Sequence, residues 1–600
     1  MGCESLVIPP YNVGKRGLQS IKQYFSVEAK SSAKPIPVTI AVMGFSQAGK
    51  TSFIETLRSK DRKRYLTNRH EDTWFDTATK AFDIHKVEVG RDEDGRETVL
   101  RFVDFGGHDV YHVTYQLTFK ESCIPVIVVS LAQYQEKVEG DSNGNSRDAV
   151  RCLFLDWISN LYLAIPHLGP PKLVLTHKDK FSPDEFNRVK QEFLATLELV
   201  WEELTYEAPD TLSKSMFHSI DAFEIGKDED YEVFDSIKVC LHKAAEDKAA
   251  EHHMLPNWRN ISKAVTSLPN AFHQFDAVYS DIKQTEEISK EQFKDILGYM
   301  HDCGEVLWYQ NPDLKFNYVF TKTSSVKQLL VVLYDHKEEQ KWKNRLENFV
   351  ASSSGNKMVS KNEFSELAIS FRKTGIVDKV LLEHLIVEET YFETISDIQV
   401  ALKLLQAFKL IYGPIVCKNS SSFIVPKFSK GWVENFYPKS AEVKFQVEIM
   451  FKGLALPMYR YHQMTVAILE VFAITNETSH VKFDGVLVSH DDVGTGIVYI
   501  PKSRKVTIKA FGPVSKLALC WRNLEKACDK VLEETESVQR ETKFFCPHCL
   551  IRGDDHPERL ECLPWCTKKD VPRKRGLQRV TCKDEEDVPF ALKYSCKFKM

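Results

Sequence analysis

Short apolar runs rich in β-branched residues alternate with amphipathic stretches over the first 255 residues of the chain. The strand-like runs cover residues 38–43, 82–89, 99–104, 124–130, 172–176 and 216–219. The helix-like segments cover residues 50–58, 147–165, 183–204 and 231–252. Because strands that alternate with helices pair in parallel, we predict an α/β domain here, with a mostly parallel sheet and helices on both of its faces.

The pattern changes beyond residue 255. Leu, Phe and Tyr recur at helical spacing over residues 285–350, with one β-like run at 317–320, and helical segments continue to about residue 410. Residues 440–520 contain the β-rich runs 465–472, 496–500 and 505–510, and residues 525–537 form an amphipathic closing helix. The predicted regions are a flexible lead (1–35), the α/β domain (36–255), a mostly helical part (256–438), a β-rich part (439–540) and a C-terminal tail (541–600).

The composition is that of an ordinary globular protein with several domains. Of the 600 residues, 27% are charged and 43% are hydrophobic, and the net charge is −4. No excess of charge draws such a chain to nucleic acid or to a membrane surface, and the most apolar stretch, 123–132, is too short to span a bilayer. No secretory leader is visible, and Leu6 stands where an N-myristoylation signal has Ser or Thr. We expect a cytoplasmic protein without nucleic-acid or membrane contacts.

The stretch that begins at Gly44 fits the phosphate-loop pattern G-x-x-x-x-G-K-[ST] and follows a predicted strand. In this pattern backbone N–H groups close around phosphate oxygens, and the next helix adds the positive end of its dipole. Lys50 is predicted to reach the β- and γ-phosphates, and the Thr51 hydroxyl to bind Mg²⁺. The predicted nucleotide-binding residues here are Gly44, Phe45, Ser46, Gln47, Ala48, Gly49, Lys50, Thr51 and Ser52. The alternative is a glycine-rich turn before an ordinary helix.

A second motif, Asp104-Phe-Gly-Gly-His108, ends the third predicted strand. Asp104 is predicted to hold Mg²⁺ through water, and the Gly107 N–H to meet the γ-phosphate. His108 takes the position where many GTPases have a Gln that orients the attacking water. An imidazole can orient a water there, so His108 is the predicted catalytic residue and slow hydrolysis is expected. The alternative is that His108 only packs or faces solvent.

A third motif, Thr176-His-Lys-Asp179, follows the fifth predicted strand, at the position where GTPases have N-K-x-D. The Asp179 carboxylate is predicted to accept hydrogen bonds from guanine N1–H and the 2-amino group, which adenine does not offer. Thr176 and His177 stand in place of Asn and Lys, so we expect weaker binding of the base. The predicted base loop comprises Thr176, His177, Lys178 and Asp179.

Two further positions carry weaker signals. Ser219 and Ile220 follow the sixth predicted strand, where a backbone N–H of a GTPase normally meets guanine O6. Thr73, Thr77 and Thr79 all precede the second predicted strand, and any of them could be the switch threonine. Thr79 is preferred because the segment after it leads directly into that strand.

The segment that starts at Asp104, Asp-Phe-Gly-Gly-His-Asp-Val-Tyr-His-Val-Thr-Tyr-Gln, resembles the Roc domain of Roco proteins, where D-F-G-G-Q-x-x-Y-x-x-x-x-Q is typical. T-H-x-D in place of N-K-x-D is also found in Roco proteins. Residues 296–309 resemble the H-x-x-G signature of the COR domain, and residues 482–487 are similar to W-x-x-G-x-x-L in its second half. The likeness spans about residues 36–540 and is strongest to kinase-less animal Roco proteins such as the malignant-fibrous-histiocytoma-amplified-sequence group.

The resemblance implies a P-loop, small-GTPase-like Roc domain followed by an α+β COR region. It also implies binding of GTP and GDP, slow hydrolysis, a homodimer formed through the COR region, and a role in signalling with partners that the sequence does not name. The leucine-rich repeats usual in the family and a kinase pattern are not found in this sequence.

Six of the fourteen cysteines fall in the last 55 residues, whereas eight are scattered singly and are expected to be buried thiols. Two close pairs, Cys546 with Cys549 and Cys562 with Cys566, suit a tetrahedral zinc site. The other candidate ligands are His548, His556, Cys582 and Cys596. A reduced thiol-rich tail and a redox pair are the alternatives.

Taken together, these motifs predict a guanine-nucleotide switch that hydrolyses GTP slowly. The alternative is a nucleotide-bound scaffold that does not hydrolyse GTP, which His108 and the Thr176–His177 pair favour. An ATP-using P-loop signalling protein is disfavoured by Asp179.

Overall fold

The computed structural model describes most of the chain between residues 38 and 560. The described residues are 38–59, 79, 81–91, 97–107, 118, 123–140, 145–165, 168–207, 213–226, 231–250, 258–302, 304–334, 338–347, 353–354, 357–358, 360–417, 420–429, 443–452, 456, 458–474, 480–490, 494–502, 505–511, 514–532, 539–545 and 559–560. The predicted flexible lead, His108 and the cysteines Cys546, Cys549, Cys562 and Cys566 lie outside them. The chain divides into two compact units, Met1–His336 with Glu389–Tyr391, and Lys337–Glu388 with Phe392–Met600.

A six-stranded sheet forms the centre of the first unit. Its strands are β1 (Thr39–Met43), β2 (Phe82–Arg91), β3 (Glu97–Phe105), β4 (Ile124–Ser130), β5 (Lys172–Thr176) and β6 (Ala222–Glu224), in the order β2-β3-β1-β4-β5-β6. Neighbouring strands are parallel except β2 and β3, which form an antiparallel hairpin. β1 and β4 are buried along their whole lengths, as parallel strands covered on both faces are. The predicted α/β architecture with a parallel-strand sheet is confirmed.

Helices cover this sheet. They are α1 (Lys50–Arg58), α2 (Leu131–Gly140), α3 (Ser146–Val150), α4 (Asp156–Ala164), α5 (Pro183–Glu207), α6 (Lys214–His218) and α7 (Tyr231–Ala250), with a π-helical turn, Arg151–Leu155, between α3 and α4. Phe53 of α1 and Phe234 of α7 share one apolar core with Val128 of β4. Ile127 and Val129, which alternate with Val128 and point to the other face, are buried as well. Both faces of β4 are therefore covered.

Beyond residue 257 the same order of elements occurs twice. The first copy consists of α8 (Trp258–Thr266), β7 (Phe272–Gln274), α9 (Phe275–Thr285), α10 (Lys290–Asp302), β8 (Leu307–Asn311) and β9 (Phe316–Phe320), and α11 (Thr323–Leu333) follows it. After α12 (Glu338–Glu347), β10 (Ser353–Ser354) and β11 (Lys357–Met358), the second copy consists of α13 (Lys361–Thr374), β12 (Ile376–Asp378), α14 (Lys379–Glu389), α15 (Ile395–Ala407), β13 (Tyr412–Cys417) and β14 (Ser420–Ile424). In both copies the last strand lies between the other two, as β7-β9-β8 and β12-β14-β13. This is the topology of a winged-helix module.

A seven-stranded antiparallel sheet forms the rest of the second unit. In chain order its elements are β15 (Val443–Lys452), α16 (Met458–Val471), β16 (His480–Lys482), β17 (Gly485–His490), β18 (Gly494–Lys502), β19 (Lys505–Phe511), α17 (Val514–Leu532), β20 (Gln539–Phe545) and β21 (Arg559–Leu560). The strand order is β16-β17-β18-β19-β15-β20-β21, and α16 and α17 pack on each other. In the described part of the chain, no helix is both long and apolar enough to cross a membrane.

Two predicted strands are helical in the structure. Residues 216–219 fall at the end of α6, because the Ser213 side chain caps this helix at Met216 N and Phe217 packs on Trp201. Residues 465–472 lie almost entirely in α16, where Thr465 to Leu469 are all buried. The run 465–472 is buried on nearly every side, so its sequence shows neither the two-residue period of a strand nor the helical period of about 3.6 residues, and the run 216–219 is too short to show a period.

Candidate nucleotide site

The phosphate loop leaves the carboxyl end of β1 and runs into α1. Gly44 has φ 142°, and an added Cβ would lie 2.1 Å from the carbonyl oxygen of Val128 on β4. Gly49, with φ 94°, is the residue before the first turn of α1. Both positions require glycine, since other residues rarely adopt these φ values and the first has no room for a side chain. The sequence pattern thus reflects a real steric need.

Lys50 lies buried against this loop, with 6% of its surface exposed. Its Nζ donates to the carbonyl oxygens of Gly44 and Phe45, each at 2.9 Å. Burial lowers the pKa of Lys50 to about 8, and the negative charge of Asp104 opposes that shift. The ammonium is therefore a largely desolvated cation held against the phosphate loop, and an anion bound there would compensate its charge.

Three side-chain oxygens meet next to Lys50. Thr51 Oγ1 donates to Asp104 Oδ2 at 2.6 Å, Thr79 Oγ1 donates to the same oxygen at 2.8 Å, and the two hydroxyls are 3.2 Å apart. Asp104 is fully buried, its Oδ1 has no hydrogen-bond partner among the described residues, and burial raises its pKa. The structure thus brings together the predicted Mg²⁺ residues Thr51 and Asp104 and the predicted switch residue Thr79.

This oxygen set fits Mg²⁺, which takes oxygen ligands and is commonly held by one or two carboxylates together with substrate phosphates. The unpartnered Asp104 Oδ1 is the observation that favours a cation or its water at this point. No group of three or more His, Cys, Asp or Glu side chains that could hold a metal occurs within the described ranges. A magnesium site made of hydroxyls, one carboxylate and phosphates does not need such a group of side chains.

Gly107 approaches the phosphate loop closely. An added Cβ would lie 2.5 Å from Ser46 N and 2.6 Å from Lys50 Nζ. Only glycine fits at that distance, so the Asp104-to-Gly107 segment is placed directly beside the phosphate loop. His108, the next residue, lies outside the described part of the chain.

The base loop lies at the carboxyl end of β5 and is tied to the phosphate loop. Thr176 is buried, and its Oγ1 donates to the carbonyl oxygen of Ala48 at 2.7 Å. His177 has φ 62°, and its Nδ1 lies 3.1 Å from Thr176 Oγ1. Asp179 is exposed in the 3-10 turn Lys178–Lys180 that follows. Burial, with a smaller contribution from Lys180, lowers the pKa of His177.

Ser219 and Ile220 do not follow β6; they precede it. β6 begins at Ala222, which is paired in register with Leu173 near the start of β5. Ser219 and Ile220 are thus placed towards the amino end of the strands, whereas the base loop leaves the carboxyl end. The residue that does reach the base loop is Ile225, whose carbonyl oxygen accepts from Lys178 N at 3.3 Å. The predicted placement of Ser219 and Ile220 after the sixth strand was wrong because a helical turn was taken for the strand, and their contact with the base stays a prediction.

Two residues of α2 support the phosphate loop and were not predicted. Gln133 Nε2 donates to the carbonyl oxygen of Ser46 at 2.8 Å, and Lys137 Nζ lies 4.6 Å from the centre of the Phe45 ring. Both follow the carboxyl end of β4, the edge of the sheet where ligands of open α/β folds bind. That position was the only signal that could have found them in the sequence.

No family model matches the sequence, and no curated protein matches it. Among solved structures, the chain is similar to the RocCORdC fragment of Roco2 from Methanosarcina barkeri bound to GDP, with 16% identity and a TM-score of 0.40 over 67% of this chain and 99% of that one. It is also similar to a bacterial selenocysteine-specific elongation factor, EF-Sec, with 16% identity and a TM-score of 0.22 over 34% of this chain and 29% of that one. Likenesses this weak carry no functional argument, so function must follow from the site itself.

Proposed function

We propose that the chain is a guanine-nucleotide switch that binds GTP or GDP with Mg²⁺ and hydrolyses GTP slowly. The observation that carries the proposal is the convergence of Thr51, Thr79 and Asp104 beside the buried ammonium of Lys50. These groups come from three separate segments of the chain, and both hydroxyls donate to Asp104 Oδ2. An ordinary turn before a helix has no need of such a cluster.

The phosphates of the nucleotide take the place beside Gly44–Thr51. Backbone N–H groups of the loop and the start of α1 bind the phosphate oxygens, and Lys50 exchanges its two carbonyl acceptors for phosphate. Thr51 and Asp104 hold the Mg²⁺, which neutralises part of the phosphate charge. The Thr79 hydroxyl contacts both Thr51 and Asp104, so the segment before β2 responds to the nucleotide and Mg²⁺ bound at the site.

Guanine is the proposed base because Asp179 lies exposed in the turn that follows Thr176, the residue that bonds to the phosphate loop. An exposed carboxylate can accept two hydrogen bonds from guanine and is repelled by the lone pair of adenine N1. Thr176 ties this turn to Ala48, so base and phosphate groups are held at a constant separation.

Hydrolysis by His108 belongs to the proposal, and so do the Roco assignment, a homodimer formed through the COR-like region, a cytoplasmic signalling role and a zinc-binding tail. They are supported by the sequence motifs alone. The competing function is a nucleotide-bound scaffold that does not hydrolyse GTP, and the replacement of Gln by His at position 108 favours it.

Competition binding and single-turnover hydrolysis test the proposal. We expect GTP and GDP, but not ATP, to displace a fluorescent GDP analogue from the purified full chain, and GTP to be cleaved slowly. Preference for ATP would overturn the guanine assignment. Tight GTP binding without cleavage, unchanged in His108→Ala, would favour the scaffold.

Metal analysis of the full chain tests the tail. One equivalent of zinc that is lost in a Cys546→Ser, Cys549→Ser variant is expected. A chain purified without zinc and unable to take it up would end that part of the proposal.

A further inference from the structure

The β2–β3 hairpin joins the two segments that carry the magnesium-side ligands. Thr79 lies three residues before β2, and Asp104 is the penultimate residue of β3. Asp83 is paired in register with Asp104, and Gly106 N donates to the carbonyl oxygen of Ala81 at 2.9 Å. A displacement of the hairpin therefore moves both ligands together.

The first winged-helix module holds this hairpin on its outer edge. Arg101 of β3 forms an ion pair with Glu305, which follows α10, and 11% and 12% of these side chains are exposed. The Ser262 hydroxyl of α8 donates to the other oxygen of Glu305. Because the pair is largely shielded from water, the loss of one partner leaves the other as a costly, partly desolvated charge.

A second ion pair joins the same two parts of the unit. Lys327 of α11 contacts Asp83 of β2, and 25% and 43% of these side chains are exposed. Between the two pairs, Gly304 approaches β2 so closely that an added Cβ would lie 3.2 Å from Ile84 Cδ1. One pair is on each strand of the hairpin, and the apolar contact is between them. Contacts on both strands resist sliding and tilting of the hairpin relative to the residues that hold it, and we call them the clamp.

Charge along the hairpin makes the clamp specific to these positions. Asp83 and Arg101 carry opposite charges on neighbouring strands; Arg101 meets Glu305 in the module, and Asp83 meets Lys327 on α11, the helix that follows the module. On the same strand, two residues after Asp83, His85 Nδ1 lies 3.3 Å from Glu55 Oε1 of the phosphate-loop helix α1. The hairpin is thus held between the nucleotide site and the module.

We propose that this clamp, formed by Arg101 with Glu305 and Asp83 with Lys327, regulates nucleotide affinity by positioning Thr79 and Asp104 on the magnesium side of the site. The proposal rests on the proposed function, since it concerns the same nucleotide. Arg101 and Asp83 are positioning residues, and the winged-helix module is the element that acts on them. A partner or a conformational change that pulls the module from the hairpin weakens nucleotide binding.

The test is the Kd for GDP of the full chain, measured with Mg²⁺ and with a chelator. We expect Glu305→Gln to raise the Kd in Mg²⁺ about fivefold or more, the lower end of usual coupling between sites. In the chelator the difference from wild type should largely disappear, because the clamp acts through the magnesium-side ligands. Glu291→Gln is the matched control, since it removes an exposed ion pair with Lys294 in the same module.

A double-mutant cycle with Arg101→Gln then separates coupling from general damage. If the pair acts as a unit, the double variant weakens binding less than the two single effects combined. Lys327→Met, at the more exposed pair, should act in the same direction with a smaller effect and tests the clamp without disturbing the buried pair.

The two proposals fail in different ways. A wild-type chain that binds no guanine nucleotide overturns the proposed function and the clamp with it. Wild-type binding that Glu305→Gln and Lys327→Met leave unchanged overturns the clamp alone. So does an equal loss of affinity with and without Mg²⁺, because the clamp would then have a structural role only.

Discussion

The phosphate side and the base side of the candidate site are built differently, although both lie at the carboxyl edge of one sheet. On the phosphate side, Lys50 and Asp104 are buried and their pKa values are shifted towards the neutral forms. On the base side, Asp179 is exposed. The hydrogen bond from Thr176 to Ala48 ties the base loop to the phosphate loop.

This difference separates affinity from selectivity. Desolvated charges contribute strongly to binding when a ligand compensates them, and exposed ones contribute little. We therefore expect the phosphates and Mg²⁺ to supply most of the affinity, and the base loop to supply selectivity for guanine. The departure from N-K-x-D in this sequence falls on the side that contributes less affinity.

The largest expected effect is that of Lys50→Met. It should weaken GDP binding by about 100-fold or more, because the phosphates lose a buried cationic partner. The apolar replacement removes a desolvated charge, so the protein should remain folded, as thermal unfolding would show. Lys178→Met on the base side is the comparison, and equal losses in the two variants would contradict the division between the sides.

Asp104→Asn should abolish the magnesium dependence of binding. The Kd for GDP in Mg²⁺ should rise at least about tenfold, towards the value in a chelator, since the only carboxylate of the oxygen cluster has lost its charge. Titration calorimetry with and without Mg²⁺ measures this. Asp179→Asn is expected to do the reverse, keeping the magnesium dependence while preference for GDP over ADP declines. If both variants changed magnesium dependence and base preference in the same way, the proposed difference between the phosphate side and the base side would be wrong.

The pH should move affinity and stability in opposite directions. The pKa of Lys50 is about 8 in the folded chain, against 10.5 as the ordinary value. Between these values the unfolded chain binds more protons, so this residue makes the nucleotide-free protein more stable as the pH rises. Phosphate needs the protonated ammonium, so the affinity for GDP falls over the same interval. Both trends should be absent in Lys50→Met, which isolates this residue from other alkaline titrations.

The smallest expected effect is that of Thr176→Val, which keeps the side-chain shape and removes the hydrogen bond to Ala48. A net contribution of about 1 kcal/mol predicts a loss of GDP affinity of about fivefold. Thr176→Ser, which keeps the hydroxyl, should bind nearly as wild type does. If Val and Ser variants bind alike, the base loop is held by something other than this bond.

Much of the nucleotide sheet could be predicted because its signals are local. The runs that became β1 and β4 are almost entirely apolar, and they are buried along their whole lengths, as strands covered on both faces are. The phosphate-loop pattern needed only the spacing of Gly44, Gly49 and Lys50. Prediction failed at residues 216–219 and 465–472, where short runs without a clear strand or helix period turned out to be helical.

The sequence by itself determined that a phosphate loop follows a buried strand and that carboxylate motifs follow later strands, since these depend on residue types at short spacing. Only the tertiary structure decided that Thr79 meets Thr51 and Asp104, that Gln133 supports the loop, and that Glu305 and Lys327 clamp the β2–β3 hairpin. These contacts join residues far apart in the chain. They arise because parallel strands bring their carboxyl ends to one edge of the sheet, and because the β2–β3 hairpin packs against Glu305 and Lys327, which lie 204 and 244 residues further along the chain than their partners.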